Sequence, residues 1–259
     1  MPARRIVSLV PSLTELLAAL GLDDEVVGLT RFCVHPEGWK ARKRIVGGTK
    51  NVALEKVEPL APDLVIASKE ENMREQVEAI EAFAPVHLTD IATVEGALAE
   101  IRTIGGLVGR EAAADALATD LARGFDALPP LAEPIRALYL IWRDPWMAAG
   151  GDTFISDVLA RGGVENVLAD RDRYPTLTPD AIADLAPDVV LLSSEPYPFA
   201  DKHLAEVRPL APEAEVRLVD GEAFSWYGPR MGLAPDALRD LRTPEASRPR
   251  LTARGAEQA

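Results

Sequence analysis

Short saturated apolar runs alternate with amphipathic stretches along this chain, the pattern of strands buried on both faces and separated by surface helices. Residues 6–10 predict a first buried strand, and the chain turns at Pro11 into a helix whose start carries the capping-box pattern Ser12-Leu-Thr-Glu15. Leu13, Leu16, Leu17 and Leu20 share one face of that helix, and Gly21 is placed to end it. Strands are predicted at 26–29, 64–67 and 86–88, with a helix over 73–83. A Pro-free, Ala-rich stretch, 110–128, sets Ala114, Leu117, Leu121, Phe125 and Leu128 on one side and predicts a helix about 28 Å long. Pro129, Pro130 and Pro134 break this pattern. A second alternation then opens with a strand at 137–141 and closes with one at 216–219.

The order of elements predicts an α/β protein with parallel sheets in two Rossmann-like lobes joined by one long backbone helix. The expected division is an N-terminal lobe, 1–106, a connecting helix, 107–133, a C-terminal lobe, 134–242, and a disordered tail, 243–259. An internal repeat supports it: 55–70 matches 180–195 at a constant offset, with Leu60-Ala-Pro-Asp63 against Leu185-Ala-Pro-Asp188, and Ser68 and Glu70 against Ser193 and Glu195.

Composition narrows the partners. With 28 Lys+Arg against 41 Asp+Glu in 259 residues, the net charge of −13 repels a phosphate backbone, so nucleic acid is not an expected partner. Cys33 is the only cysteine, which excludes an internal disulfide and a cysteine-built zinc site. No secretory signal or lipobox is read in the sequence, so the chain as written is expected to be cytoplasmic, or periplasmic or surface-held if it is a trimmed mature form.

Of fourteen aromatic residues, ten fall in predicted loops: Phe32, Trp39, Trp142, Trp146, Tyr174, Tyr197, Phe199, Phe224, Trp226 and Tyr227. Large apolar rings on loops are costly unless something covers them, and two facing sets make a cleft for a bulky flat ligand. Polar groups accompany them. Cys33 and His35 stand two apart, in reach of one soft metal ion if the loop is extended. Glu70 and Glu195 are repeat-related and suit proton or metal chemistry or helix capping, Gly150-Gly-Asp152-Thr-Phe154 suits an anion or an N-cap, and Arg230 suits a carboxylate or a salt bridge. His87 and His203 read as peripheral, and the nucleotide, hydrolase and zinc-protease motifs are absent.

Two repeat-related lobes, one long helix and aromatic cleft loops resemble the helical-backbone metal receptors, the class III substrate-binding proteins of ABC importers for cobalamin and iron–siderophores. The resemblance spans about residues 4–242 and rests on Arg5-Ile-Val-Ser-Leu-Val-Pro-Ser12-Leu-Thr-Glu15, on Leu54-Glu-Lys-Val-Glu-Pro-Leu-Ala-Pro-Asp-Leu-Val-Ile66 and on Gly150-Gly-Asp-Thr-Phe-Ile-Ser-Asp-Val-Leu159. The chain is most similar to the cobalamin branch, with His35-Pro36 where that branch has an aromatic before a proline, and with Phe224-Ser-Trp-Tyr-Gly-Pro-Arg230 at the last cleft strand.

The resemblance implies a non-enzymatic monomer that needs no cofactor and binds a metal chelate, a corrinoid first and an iron–siderophore or haem next. Its expected ligand-binding residues are Pro11, Ser12, Phe32, Cys33, His35, Glu70, Trp142, Trp146, Tyr174, Glu195, Tyr197, Phe199, Phe224, Trp226, Tyr227 and Arg230, with His35 as an axial ligand to the chelated metal. Glu55 and Asp180 match the acids that dock such proteins onto an ABC permease. The alternative expectations are a cytosolic metal-chelatase or corrinoid-processing enzyme using His35 with Glu70 or Glu195, and a peptide-binding module.

Overall fold

A computed structural model describes residues 1–243, so the tail expected at 243–259 lies outside the described residues apart from Thr243. The first sheet holds β1 (Ile6–Ser8), β2 (Val26–Leu29), β3 (Arg44–Ile45), β4 (Leu64–Ser68) and β5 (Val86–Thr89) in the order β3-β2-β1-β4-β5. Every pairing in it is parallel. Helices α1 (Pro11–Ala19), α2 (Trp39–Arg42), α3 (Leu54–Val57) and α4 (Arg74–Glu81) connect these strands. Two longer helices follow, α5 (Val94–Leu107) and α6 (Glu111–Asp126). They cross closely because Gly105 has no side chain: a Cβ there would lie 2.3 Å from that of Ala114.

The second sheet comprises β6 (Ile135–Trp142), β7 (Trp146–Ala148), β8 (Val164–Asn166), β9 (Thr176–Leu177), β10 (Val189–Ser193) and β11 (Glu215–Val219), ordered β11-β10-β6-β7-β9 with β8 also on β6. It is mixed rather than purely parallel, because β7 runs antiparallel to both β6 and β9. Only residues 143–145 separate β6 from β7, and so short a connection permits a hairpin but not a crossover. Helices α7 (Phe154–Arg161), α8 (Pro179–Asp184), α9 (Asp201–Val207), α10 (Gly221–Ser225) and α11 (Ala234–Leu241) complete the lobe.

The two copies of the repeat form matching corners. Asp63 accepts the backbone N–H groups of Arg4 and Arg5, while the Arg5 guanidinium donates to the Leu60 carbonyl at 2.9 and 2.6 Å. Asp188 accepts the N–H of Arg136, whose guanidinium donates to the Leu185 and Ala186 carbonyls. Ala61 and Ala186 hold φ of 44° and 42°, a left-handed turn that sends the chain back into the strand. The Ser-x-Glu that follows is a hydroxyl turn in both copies: Ser68 Oγ accepts Glu70 N–H at 3.2 Å and Ser193 Oγ accepts Glu195 N–H at 3.4 Å.

One apolar core runs from the inner face of the first sheet through α5 and α6 into the inner face of the second, taking in Ile6, Leu17, Ile101, Ala118, Tyr139 and Phe224. The lobes therefore share a core instead of meeting as two closed units. No helix among the described residues is long and apolar enough to cross a membrane.

Candidate functional site

Parallel strands deliver their following loops to one edge, so the carboxyl ends of the two sheets face each other across a seam. At its base Arg230, on the 3₁₀ turn Pro229–Leu233, sits with Nε 2.8 Å from Glu15 of α1 and Nη1 2.9 Å from Glu222 of α10. His35 approaches from the first lobe, its Nε2 3.3 Å from the same Glu222 and its ring edge-on to Trp226 at 5.6 Å. The Arg230 guanidinium also lies over the Trp226 ring, 5.5 Å from its centroid. Further along, Arg173 pairs with Glu70, Tyr174 reaches Glu70, and Tyr227 reaches Ser68. Asp152 holds the loop bearing Arg173 and Tyr174 by accepting the Arg173 N–H at 2.5 Å. Gly221 packs so tightly on Ser193 and Glu195 that a Cβ would fall 2.5 Å from Ser193 Oγ, which presses α10 onto the repeat loop.

Exposed apolar side chains also lie where strands of the two lobes end. Phe32 is 53% and Val34 45% exposed on the loop after β2, and Trp142 is 39% exposed where β6 ends. Trp142 meets the half-buried Tyr197 edge-on at 5.6 Å. Met73, just before α4, is also exposed.

Several expected ligand contacts are placed elsewhere. Cys33 does not share a metal with His35: it is wholly buried, with its thiol against Thr14 and Thr30 hydroxyls at 3.1 and 3.2 Å, and burial pushes its pKa up. Among the described residues no three His, Cys, Asp or Glu side chains are grouped to hold a metal ion. Phe224 belongs to α10, not a loop, and is buried against Tyr139. Trp39, Trp142 and Trp146 likewise lie in regular elements. Trp146 and Phe199 stack at an interplanar angle of 4° inside the second lobe, where Tyr197 and a buried His203 join them. His203 is thus not peripheral: its Nδ1 accepts the Ala200 N–H and caps α9.

Pro11 and Ser12 form the first turn of α1 and are buried. The capping box is not made, because the helix starts at Pro11 with Val10 as its N-cap, which puts Ser12 inside the first turn; Ser12 Oγ lacks a partner, and Glu15 turns outward to Arg230. Arg230 is not an open receptor for a ligand carboxylate, since two glutamates already engage it. Glu55 and Asp180 are exposed at the second positions of α3 and α8. Beside the seam, a cavity of about 350 Å³ lies between Thr93 ahead of α5 and Gly151, Asp152 and Asp157 around the head of α7. There the Val94 N–H donates to Asp157 at 2.7 Å and Arg161 pairs with Glu95.

Sequence reasoning missed Glu71, Glu222 and the role of Glu15, because no local pattern says where a carboxylate on one lobe meets the other. Burial raises the pKa of Glu15, and Arg230 partly offsets it. Burial likewise raises Glu195, which accepts the Ser225 hydroxyl at 2.7 Å. Glu71 is pushed up to about 8, by burial first and then by the charge of Glu195, with Lys50 acting the other way.

A carboxyl whose folded pKa is raised stabilises the fold fully below its unfolded pKa, and this contribution is lost as pH rises through the folded value. For Glu71 that window runs from about 4.5 to about 8. Glu71→Gln is therefore expected to gain on the parent by about 2 kcal/mol at pH 8.5 and by little at pH 4.5, less than full conversion of the shift because the carboxyl keeps some solvent. Urea unfolding at the two pH values checks it, and a gap that does not change with pH contradicts it.

The periplasmic binding protein profile matches residues 6–211. An uncharacterized ABC transporter substrate-binding lipoprotein, YvrC of Bacillus subtilis, is 32% identical over 201 residues, which is 73% of this chain but 63% of that protein's length. The vitamin B12-binding protein of Pectobacterium carotovorum is 24% identical over 242 residues, covering 91% of this chain and 87% of the relative. In structure, the periplasmic haem-binding protein RhuT from Roseiflexus superposes with a TM-score of 0.77 at 24% identity, over 93% of this chain and all (100%) of that one. At that identity it speaks for the fold alone. With the profile covering both sheets nearly to β11 and the seam built from their carboxyl ends, the chain belongs to the periplasmic binding protein family.

Proposed function

We propose that this chain is the substrate-binding component of an ABC-type uptake system and that its substrate is a metal chelate, a corrinoid first and haem or an iron–siderophore next. One observation carries the reading: exposed rings stand on both sides of the seam at the carboxyl ends of the strands, Phe32 on one lobe and Trp142 on the other. A flat, largely apolar macrocycle gripped between them would cover surface that water otherwise wets. The names of the relatives, vitamin B12-binding and ABC substrate-binding lipoprotein, favour the same class.

The chelatase alternative has no support, because the family is one of binding proteins. The cytoplasmic expectation has no support either; we place the protein, as a monomer, on the outer side of the membrane. His35 would serve as an axial ligand through its other ring nitrogen, Nδ1, with Glu222 holding Nε2 and orienting the ring. Titration calorimetry with cyanocobalamin, haem and a ferric siderophore tests the reading: one-to-one binding of cyanocobalamin is expected, and no response to any of the three would sink it.

Glu55 and Asp180 would meet arginines of the permease, one from each lobe, in an exposed and salt-sensitive contact. Reversing both, Glu55→Lys with Asp180→Lys, is expected to leave cyanocobalamin affinity unchanged and to abolish uptake into vesicles carrying the cognate permease. Unimpaired uptake would remove these acids from the interface.

A further inference from the structure

The rim ring Trp142 has a support that no local pattern shows. Among the described residues the only ring packed on it is Tyr197, edge-on at 5.6 Å. Tyr197 reaches it from the loop after β10, and its backbone N–H donates to the carbonyl of Ile141, the residue before Trp142. Behind Tyr197 stands His203 of α9, only 2% exposed. These two rings meet edge-on at 5.4 Å, and His203 Nε2 lies 3.2 Å from the Tyr197 hydroxyl oxygen. The role of each imidazole nitrogen follows from its partner. Nδ1 accepts the Ala200 N–H at 2.8 Å and so carries no proton; the hydrogen of the neutral ring is then on Nε2, which donates to the Tyr197 oxygen. Phe199 packs edge-on against both, 4.8 Å from Tyr197 and 5.4 Å from His203.

We propose that His203 is a positioning residue for ligand binding: by donating to the Tyr197 hydroxyl it holds that ring as the wall against which Trp142 is set, an inference that rests on the chelate-binding reading of Trp142 and deepens it. A ring 39% exposed, with a single ring against it, loses rotamer freedom when a ligand stacks on it unless that neighbour already holds it. Tyr197 can do so only if it is itself fixed. Its hydroxyl lies on the axis about which its ring flips, so a bond there leaves the flip free and pins the direction in which the side chain leaves the backbone. The other end of the bond is anchored twice, by the burial of His203 and by the Ala200 N–H at the head of α9. Three rings thus run in line from a helix start to the rim, and the ordering of Trp142 is met in folding instead of in binding.

Two substitutions break the bond from opposite ends. His203→Asn keeps the cap, because its Oδ1 is attached to Cγ as Nδ1 is, and it ends short of Tyr197. Tyr197→Phe keeps both rings and removes only the hydroxyl. A readout without ligand is the fluorine spectrum of protein labelled with 5-fluorotryptophan at Trp39, Trp142, Trp146 and Trp226. In both variants the Trp142 resonance, assigned by its loss in Trp142→Phe, is expected to move toward that of the free amino acid, while those of Trp39 and Trp226 stay in place. Cyanocobalamin affinity is expected to fall about fivefold in each variant and no further in the two combined, the order expected when one side chain must be ordered on binding. With Trp142→Ala already present, the same substitutions are expected to change affinity by less than about 1.5-fold, because no ring is left to position. A histidine that served only the fold would weaken binding with or without Trp142. If no chelate binds the parent while the Trp142 resonance moves in both variants, the positioning stands and the chelate reading falls. A Trp142 resonance unmoved in Tyr197→Phe, the milder change, overturns the inference, and so does an affinity loss that persists with Trp142→Ala.

Discussion

Truncation of Phe224 to alanine is expected to cost about 4 kcal/mol of stability, in the range for emptying a fully buried ring from a close-packed core. The ring is 0% exposed, lies 5.7 Å from that of Tyr139, and belongs to the core that runs through both lobes and α6. Because the lobes share that core, the cavity is expected to loosen the whole molecule at once and lower the urea midpoint without a separate early transition. Phe224→Leu should recover most of the loss, since it refills much of the volume. A ligand-stacking ring would behave in the opposite way, with unchanged stability and weakened binding. A stability change under about 1 kcal/mol would return Phe224 to the cleft.

Removing the two rim rings together, Phe32→Ala with Trp142→Ala, is expected to weaken cyanocobalamin binding about 100-fold, near tenfold for each. Phe32 is 53% and Trp142 39% exposed, so their loss should cost about 2 kcal/mol of stability, mostly from the buried part of Trp142, and leave the protein folded under the conditions of the binding measurement. They stand on different lobes, on the loop after β2 and at the end of β6, and the single effects should therefore add. Calorimetry on the two single variants and the double variant measures this directly. Parent-like affinity in the double variant would move the ligand away from the rims and take the central support from the proposed function.

These two experiments divide the aromatic residues that look alike in the sequence. Phe32 and Phe224 both read as loop rings near a strand end. Phe32 follows β2 on a stretch that projects outward, whereas Phe224 is drawn inward because Asp220 caps α10 by accepting the Glu222 N–H, turning the next residues into a short helix against Tyr139. Trp146 escaped recognition as a strand residue because β7 is three residues long, too short to show alternation. Helix α5 was illegible for a different reason: Gly96, Gly105 and Gly106 interrupt it and lower its intrinsic helical preference, although Gly105 is what lets it cross α6.

The ion pairs of the seam show the same division. Glu15 looked like half of a capping box, a local pattern, and instead spans the lobes to Arg230. Glu222 was an unremarked turn residue and serves both Arg230 and His35. Cys33 and His35, two apart, diverge because the first is held by Thr14 and Thr30 inside the lobe and the second is drawn out to the facing lobe.

The sequence by itself determined what depends on near neighbours in the chain: the alternation of buried strands and amphipathic helices, the break before the second lobe, and the repeated Leu-Ala-Pro-Asp corner whose aspartate and left-handed alanine turn the chain. These follow from residue type and spacing within one or two turns. Only the tertiary structure decided which rings are core and which are rim, and which carboxylates are paired. Side-chain direction and charge pairing are settled by what packs opposite, and here the opposite partner lies on the other lobe, far away in the chain.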